Sequence, residues 1–423
     1  MSKNYQTILY VCCLTSFIAI TYAFGRYIFA VITPEIAKDL HLNYEFVGRI
    51  NAFQMGLFLL FSFFGGFMSA VVGARLLICS SVMLSALSLV SLYFVHDKWI
   101  LFTIVGILGI FAATAWVPMV ELVARSIAEE NRGKSLGIIA SGTSYGVILN
   151  GMLIPYILIT YHWQTVWLVF GIISFIIGSF GVYVVYSVKN TALLPKSDPD
   201  EMKIENNSVD ITTNSPMTKN YLQYTLLILL VIVTGLYLMP FQTYIVPFIQ
   251  EDLRLNHEIA GISWSLFGIL GVVSGFFAGI LADKFSAKKA MIIMYGISVI
   301  AILVLLIFHN SACVLLSCGI FGLSFYGLFG LHPTYVSRML PPEKTAKLFG
   351  LLNVAIGFGA MIGNYASGYI KNASGSFINA YMLMAVLSLL CLSICFGIKD
   401  DRSRAISNSY GIKEVGNFVK EQQ

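Results

Sequence analysis

The chain has 423 residues, of which 57% are hydrophobic and 11% charged, against roughly 25% charged in an ordinary soluble domain. A composition this apolar excludes a water-soluble globular fold and places the chain in a bilayer. The formal net charge of +5 follows from basic residues crowded on one side of the predicted spans and gives no reason to expect nucleic acid.

In chain order, apolar runs of about 20 residues, enough to cross a bilayer, lie near residues 8–32, 46–70, 75–95, 99–124, 134–159 and 164–188, with a second six near 221–249, 259–282, 289–308, 311–337, 346–370 and 376–397. Without water to satisfy backbone groups, and without alternating ~10-residue segments, these runs are predicted to be helices rather than barrel strands. The first run is too long and too aromatic for a cleaved secretory signal, and only Lys3 precedes it as a basic flank.

Part of the chain is written twice. Pro34-Glu-Ile-Ala-Lys-Asp-Leu-His-Leu-Asn-Tyr-Glu-Phe-Val-Gly48 returns without a gap, 213 residues later, as Pro247-Phe-Ile-Gln-Glu-Asp-Leu-Arg-Leu-Asn-His-Glu-Ile-Ala-Gly261. The same offset pairs Gly66 with Gly279, His96 with His309, Gly106 with Gly319 and Gly109 with Gly322. An offset of half the chain implies two fused, similar halves. The repeat also pairs the first run with the helix at 221–249, which no signal peptidase would remove.

The expected organisation is a six-helix bundle over 1–188, a polar cytoplasmic linker over 189–220 that contains no Phe, Trp or Tyr, a second bundle over 221–397 and a cytoplasmic tail over 398–423. With the N-terminus inside, twenty basic residues fall in the inner segments, five in the outer ones, and Arg26 alone within a span. That bias predicts both termini in the cytoplasm. Seven cysteines all fall inside spans and form no Cys-x-x-Cys pair, which reads as apolar packing.

Twelve spans in two parallel six-helix halves resemble the major facilitator superfamily of secondary transporters. The most specific local match is Gly279-Ile-Leu-Ala-Asp283-Lys284-Phe-Ser-Ala-Lys288-Lys289, which looks like that family's signature loop. The family usually carries this loop more strongly in its first half, whereas here Ala70 and Val71 stand opposite Asp283 and Lys284. The resemblance implies that Asp283 pairs with Arg338 and approaches the start of helix 5 near Lys134, where the helix dipole favours an anion. Gly279, Asp283, Lys284, Lys288 and Arg338 would then form a latch that closes the cytoplasmic side. A narrower likeness, to the YbfB-like bacterial branch, rests on Tyr22-Ala-Phe-Gly25-Arg26-Tyr27 leading to Pro34 and on Trp116-Val-Pro118 leading to Arg132-Gly133-Lys134-Ser-Leu-Gly137. It brings no known substrate.

Arg26 is the leading candidate site residue. A guanidinium inside a span costs about 2.5–3.5 kcal/mol on insertion scales, so it normally faces a cavity and has a partner. The predicted end of helix 1 puts it about six residues, roughly 9 Å, inside the outer surface. Glu121, the one carboxylate well inside a predicted span, is about 33 Å from that surface by the same rise, and Glu35 sits at the outer mouth. An unpaired cavity Arg suggests that the substrate provides the negative charge, through bidentate bonding to an oxyanion. Snorkelling to headgroups or bonding to backbone carbonyls stays open.

The candidate substrate-binding set is Arg26, Tyr22, Gln54, Tyr145, Gln242, Trp264, Tyr326 and Asn353, on helices that line the cavity in this family; Asn51, Asn150 and Asn364 lie on the same helices. Each of these also has a packing reading. Glu121 and His332 are the proton-coupling candidates, with pairing to Arg125 and a hydrogen-bonded structural histidine as their other readings. Gly142 and Gly146 read as close helix packing.

Two soluble-enzyme patterns are rejected. Ala128-Glu-Glu-Asn-Arg-Gly133-Lys134-Ser135 matches a relaxed phosphate loop but joins two membrane helices and puts two acids where phosphate would lie. His257-Glu258-Ile-Ala-Gly261 begins like a zinc-protease helix but has Gly in place of the second His, so no metal and no cofactor is expected. The functional expectation is a secondary active transporter, monomeric, in the bacterial inner membrane, moving a small organic anion by alternating access as a proton-coupled symporter. An exporter of amphipathic compounds is the alternative. A receptor would be expected to have an extramembrane domain, and an intramembrane enzyme a cluster of catalytic groups at one depth; neither feature is present.

Overall fold

The computed structural model describes residues 3–127, 129–187, 221–340 and 342–401. The expected linker at 189–220 and the tail beyond 401 lie outside the described residues. Twelve helices long and apolar enough to cross a membrane occur among the described residues: α1 Gln6–Asp39, α2 Tyr44–Val72, α3 Ala74–Phe94, α4 Lys98–Ser126, α5 Asn131–Thr160, α6 Trp163–Ser187, α7 Leu222–Asp252, α8 His257–Lys284, α9 Ala287–Ile307, α10 Ser311–Met339, α11 Leu348–Ser374 and α12 Ile378–Gly397. The first described helix begins, and the last ends, on one face, here the terminal face. The tight connections at 39–44 and 252–257 lie on the opposite face.

The repeated block folds the same way twice. His41 (φ 50°) and Arg254 (φ 54°) are the two non-glycine residues with positive φ among the described residues, and they are 213 positions apart. Each turns the chain through the left-handed region two residues before an Asn that caps the next helix. Asn43 accepts from the Phe46 N–H at 2.8 Å and Asn256 from the Ile259 N–H at 2.9 Å. Asp97 and Asn310, also equivalent under the repeat, cap α4 and α10 by bonds of 2.8 Å to Trp99 and 2.9 Å to Cys313.

The first helix departs from expectation. Drawn near 8–32 from the sequence, α1 instead runs on through Pro34 to Asp39, closing with the Leu40 N–H on the Ile36 carbonyl at 2.9 Å. Arg26 is therefore thirteen residues from the end of its helix, roughly 20 Å at 1.5 Å per residue, well inside a ~30 Å hydrocarbon core. Its environment is also non-standard, because Ala19–Tyr27 is π-helical. A wide turn of this kind disturbs the carbonyl ladder, and a neighbour supplies the missing donor: Asn150 of α5 donates to the Ala23 carbonyl at 2.8 Å.

The two halves meet along two seams. In the first, α2 lies on α11, with Gly48 against the Asn364 carbonyl, Gly56 near Met361 and Gly357 on Leu59. In the second, α5 lies on α8, with Gly261 on Pro155, Gly151 on Ser265 and Gly268 on the Ser144 carbonyl. Toward the terminal face both seams open: around Gly66 and Gly350 in one, and Gly133, Gly137, Gly275 and Gly279 in the other, a Cβ would meet no atom within 4 Å. Within the first half, Gly142 and Gly146 do pack closely, on the Thr15 carbonyl and Ala23 Cβ.

Candidate functional site

Between the halves lies a small cavity at the depth of Arg26. It is lined by Arg26, Tyr27 and Ala30 of α1, Asn51, Gln54 and Met55 of α2, Met239, Gln242 and Thr243 of α7, and Asn364 of α11. Arg26 and Met239 are equivalent under the repeat, as are Ala30 and Thr243, so the pocket straddles the pseudo-symmetry axis. Its free volume of about 20 Å³ has room for about one water molecule. A solute therefore enters only when the helices move apart.

Arg26 is 8% exposed. Its Nη2 donates to the Met55 sulfur at 3.1 Å, and its guanidinium lies 4.5 Å from the centre of the Phe58 ring, 5.6 Å from Tyr22 and 5.8 Å from Tyr27. A thioether is a weak acceptor, and aromatic faces attract a cation without neutralising it. Nε has no hydrogen-bond partner. None of the lining residues is an acid. Glu121 is far off, held near the end of α4 by Arg125 at 2.6 Å and by the Ser69 hydroxyl at 2.5 Å. Glu35 pairs instead across the halves with His257 Nδ1 at 3.1 Å.

Other expected site residues are distributed differently. Gln54 lines the pocket, but its amide nitrogen is engaged by the Val105 carbonyl at 2.9 Å. Tyr22 flanks the guanidinium behind the cavity, edge-on to Phe58 and Trp116. Trp264 and Tyr326 are packed around Phe267 beside the pocket rather than lining it. Tyr145, expected on the cavity, is not there, and Asn353 is on the same face of α11 as Asn364 but outside the pocket. Tyr145 belongs to a heptad-spaced stripe with Ile138, Met152 and Ile159 that is exposed along all of α5, including the closed end, and so faces the perimeter. Asn353 is exposed, eleven residues or roughly 16 Å along α11 from Asn364.

His332 is 4% exposed and sits inside the second bundle, with Nε2 2.9 Å from the Tyr295 hydroxyl, itself 2.6 Å from Thr234 of α7. It does not reach the cleft between the halves. Sequence reasoning missed Tyr27, Ala30, Met55, Met239 and Thr243 as lining residues. Tyr27, Ala30 and Thr243 were within reach: Ala30 is one turn beyond Arg26, and Thr243 is its repeat partner.

Beyond the pocket, the face away from the termini is sealed by polar contacts between the halves. Tyr44 of α2 donates to Glu251 of α7. Lys371 of α11 is 3.3 Å from Glu251 and 2.6 Å from Asp252, and lies over the Tyr44 and Phe377 rings at 5.7 and 4.6 Å. Tyr365 donates to Glu45 at 3.3 Å, and Glu45 also holds Arg49 at 2.5 Å.

On the terminal face, Asp283 of the signature-like loop pairs with Arg338 at 2.6 Å. Arg338 also donates to the Ala282 carbonyl at 2.8 Å and lies 3.4 Å from Asp401, a residue 2% exposed that accepts the Ala287 and Lys288 N–H groups at 3.0 Å each. Lys288 donates at the end of α12 to the Phe396 carbonyl at 2.9 Å and, just past the helix, to the Ile398 carbonyl at 2.6 Å. Lys284 lies over the ring of Phe285, and Gly279 faces the open cleft. Gly133 and Gly137, on either side of Lys134, also face open space.

The sequence profile of the Major Facilitator Superfamily matches residues 15–334 and 227–416. The chain belongs to this superfamily. The proton-coupled antiporter flippase LtaA of Staphylococcus epidermidis is 23% identical to this superfamily member over 341 residues, covering 78% of this chain and 80% of its own. The glucose-6-phosphate exchanger SLC37A2 of Mus musculus is 24% identical over 389 residues, covering 78% and 75%. Among solved structures, a bacterial homologue of the human lysosomal transporter Spinster, in an inward-facing and occupied conformation, superimposes with a TM-score of 0.74 at 13% identity, over 94% of this chain and 97% of the other. In this chain the face away from the termini is closed by the contacts of Tyr44, Glu251 and Lys371, whereas the seams at the terminal face are open.

Proposed function

We propose that this superfamily transporter moves a small organic anion by alternating access, coupled to protons, in a bacterial inner membrane with both termini in the cytoplasm. The observation that carries the anion reading is Arg26: a buried guanidinium in the pocket between the halves, with a thioether and aromatic rings around it and no acid among the lining residues. Burying a charge without a counter-ion is costly, and an incoming oxyanion removes that cost. With the termini inside, the seal at Tyr44, Glu251 and Lys371 is the outer gate, and the open side is cytoplasmic. The latch made by Asp283 and Arg338 would then engage when the cytoplasmic side closes.

Two of the relatives are named for acidic chemistry or a proton gradient, a glucose-6-phosphate exchanger and a proton-coupled antiporter flippase, and both suit this reading. The test is uptake by proteoliposomes of a panel of labelled organic anions, with and without a pH gradient. We expect wild type to accumulate an anion in response to the gradient, Arg26→Ala to lose uptake, and Arg26→Lys to retain a fraction of it. Equal uptake by Arg26→Ala and wild type, or a cationic substrate, would sink the proposal.

A further inference from the structure

We infer that the pocket takes a polyhydroxylated anion, with its acidic group on Arg26 and its hydroxyls on the side-chain amides of Gln242 and Asn364. This rests on the anion reading above and goes further by stating the rest of the molecule.

Three polar side chains of the pocket carry buried atoms without any hydrogen-bond partner: Arg26 Nε, Gln242 Nε2 and Asn364 Oδ1. Their residues are 8%, 2% and 5% exposed. Buried polar groups are almost always paired, so three orphans on one cavity point to a ligand that supplies the partners. The two halves contribute differently. On the first, the amides are already engaged with backbone, Asn51 with the Val47 carbonyl at 3.0 Å and Gln54 with Val105 at 2.9 Å, which leaves Arg26 as the group in need of a partner. On the second, the Asn364 backbone is fixed by the Tyr244 hydroxyl at 2.7 Å, while its side chain and that of Gln242 stay unsatisfied.

Two amides on one cavity offer both donors and acceptors, in either orientation of each amide. A hydroxyl group is the partner that uses both. An ammonium, as in an amino acid, would satisfy Asn364 but would need a carboxylate nearby, and none lines the pocket. A plain fatty acid would satisfy Arg26 and leave both amides buried against methylene groups. An amphipathic drug would do the same.

The acidic group can be a carboxylate or a phosphoryl group, since a guanidinium binds both. The experiment therefore compares D-gluconate and glucose 6-phosphate with hexanoate and D-glucose, by calorimetric titration of the full-length protein in detergent. We expect at least one of the two hydroxylated anions to bind about tenfold or more tightly than hexanoate and glucose, and their ranking identifies the acidic group. Gln242→Leu and Asn364→Leu should each weaken that anion by about tenfold, the usual loss when a buried hydrogen bond is removed, and leave hexanoate unchanged. Asn364→Asp, nearly identical in shape, should weaken both anions by adding a negative charge, which keeps the test usable if a leucine variant fails to fold. Hexanoate binding as tightly as the hydroxylated anions, or no binding of either hydroxylated anion, overturns the inference. If Arg26→Ala still abolishes hexanoate binding in the first case, the anion reading survives; if Arg26→Ala binds every compound as wild type does, both readings fall.

Discussion

The Tyr44 hydroxyl donates to the Glu251 carboxylate, and in doing so joins α2 of one half to α7 of the other at the face away from the termini. Glu251 already has Lys371 at 3.3 Å, so the bond adds a bridge between halves to an ion pair within one. Alternating access requires this bridge to exist in one state and not in the other. A hydrogen bond to a charged acceptor contributes about 1.5–3 kcal/mol, and because Lys371 remains, the lower end applies. Tyr44→Phe should shift the conformational balance roughly tenfold toward the state open on this face. Spin labels on the exposed Lys38 and Glu258 positions should report a longer distance population by electron–electron resonance; an unchanged distribution would mean the bridge does not gate.

The seam between α7 and α11 should tolerate no added volume. A Cβ on Gly235 would lie 2.1 Å from the Ile356 carbonyl oxygen, and one on Gly359 2.1 Å from that of Ile232. Gln242 and Asn364 stand on these two helices, so their separation controls the pocket. Gly235→Ala and Gly359→Ala should each destabilise the protein by about 1–3 kcal/mol, the range for overpacking a core, and lower transport. Gly275→Ala, where nothing lies within 4 Å, should leave the melting temperature in detergent unchanged.

At the terminal face, Asp401 and Asp283 share Arg338 but should respond differently. Asp401 is 2% exposed and caps the start of α9 by two backbone bonds, so Asp401→Ala should cost about 0.5–2 kcal/mol or more through the loss of Arg338's partner. The Asp283 side chain is 79% exposed, and an exposed pair contributes about 0–1 kcal/mol. Asp283→Asn should therefore leave the melting temperature almost unchanged while slowing transport, if the loop acts as a latch in the other conformation.

The two proton-coupling candidates separate in the same way. Glu121 pairs with Arg125 on a half-exposed helix end, so Glu121→Gln should change stability by less than about 1 kcal/mol. His332→Ala leaves the Tyr295 hydroxyl buried without its ring partner and should destabilise by about 1–3 kcal/mol. Uptake by each variant, measured with and without an imposed pH gradient, distinguishes a coupling role from a packing one: only a coupling residue abolishes the response to the gradient while leaving counterflow intact.

Much of the fold was legible because membrane helices are coded locally. Each span needs about 20 apolar residues and nothing from its neighbours, and the repeated Leu-Asn turns carry their own caps. The helix ends were less legible. Pro34 looks like a terminator, yet α1 continues past it, and the π-helical turn at Ala19–Tyr27 is supported by Asn150, a residue more than a hundred positions away. The pocket was half legible. Arg26 stood out by its charge within an apolar run, and Gln54, Gln242 and Asn364 by polarity, whereas Met55 and Met239 look like ordinary apolar residues until they line the pocket. Tyr145 shows the converse, for a polar group on the right helix points elsewhere when the helix is rotated in the bundle; Asn353 shares the face of Asn364 and misses the pocket by its depth along α11.

The sequence by itself determined a membrane chain of two similar six-helix halves, the signature-like Asp283 loop present in one half and missing from the other, and a lone intramembrane arginine. These depend on composition, periodicity and repetition, which a linear reading contains in full. Only the tertiary structure decided that Arg26 lies deep rather than near the surface, that no acid meets it, that Gln242 and Asn364 face the same cavity with unsatisfied amides, and which face is sealed. Those facts depend on helix rotation and on contacts between residues some two hundred positions apart, and interactions at that separation exist only once the two halves have packed.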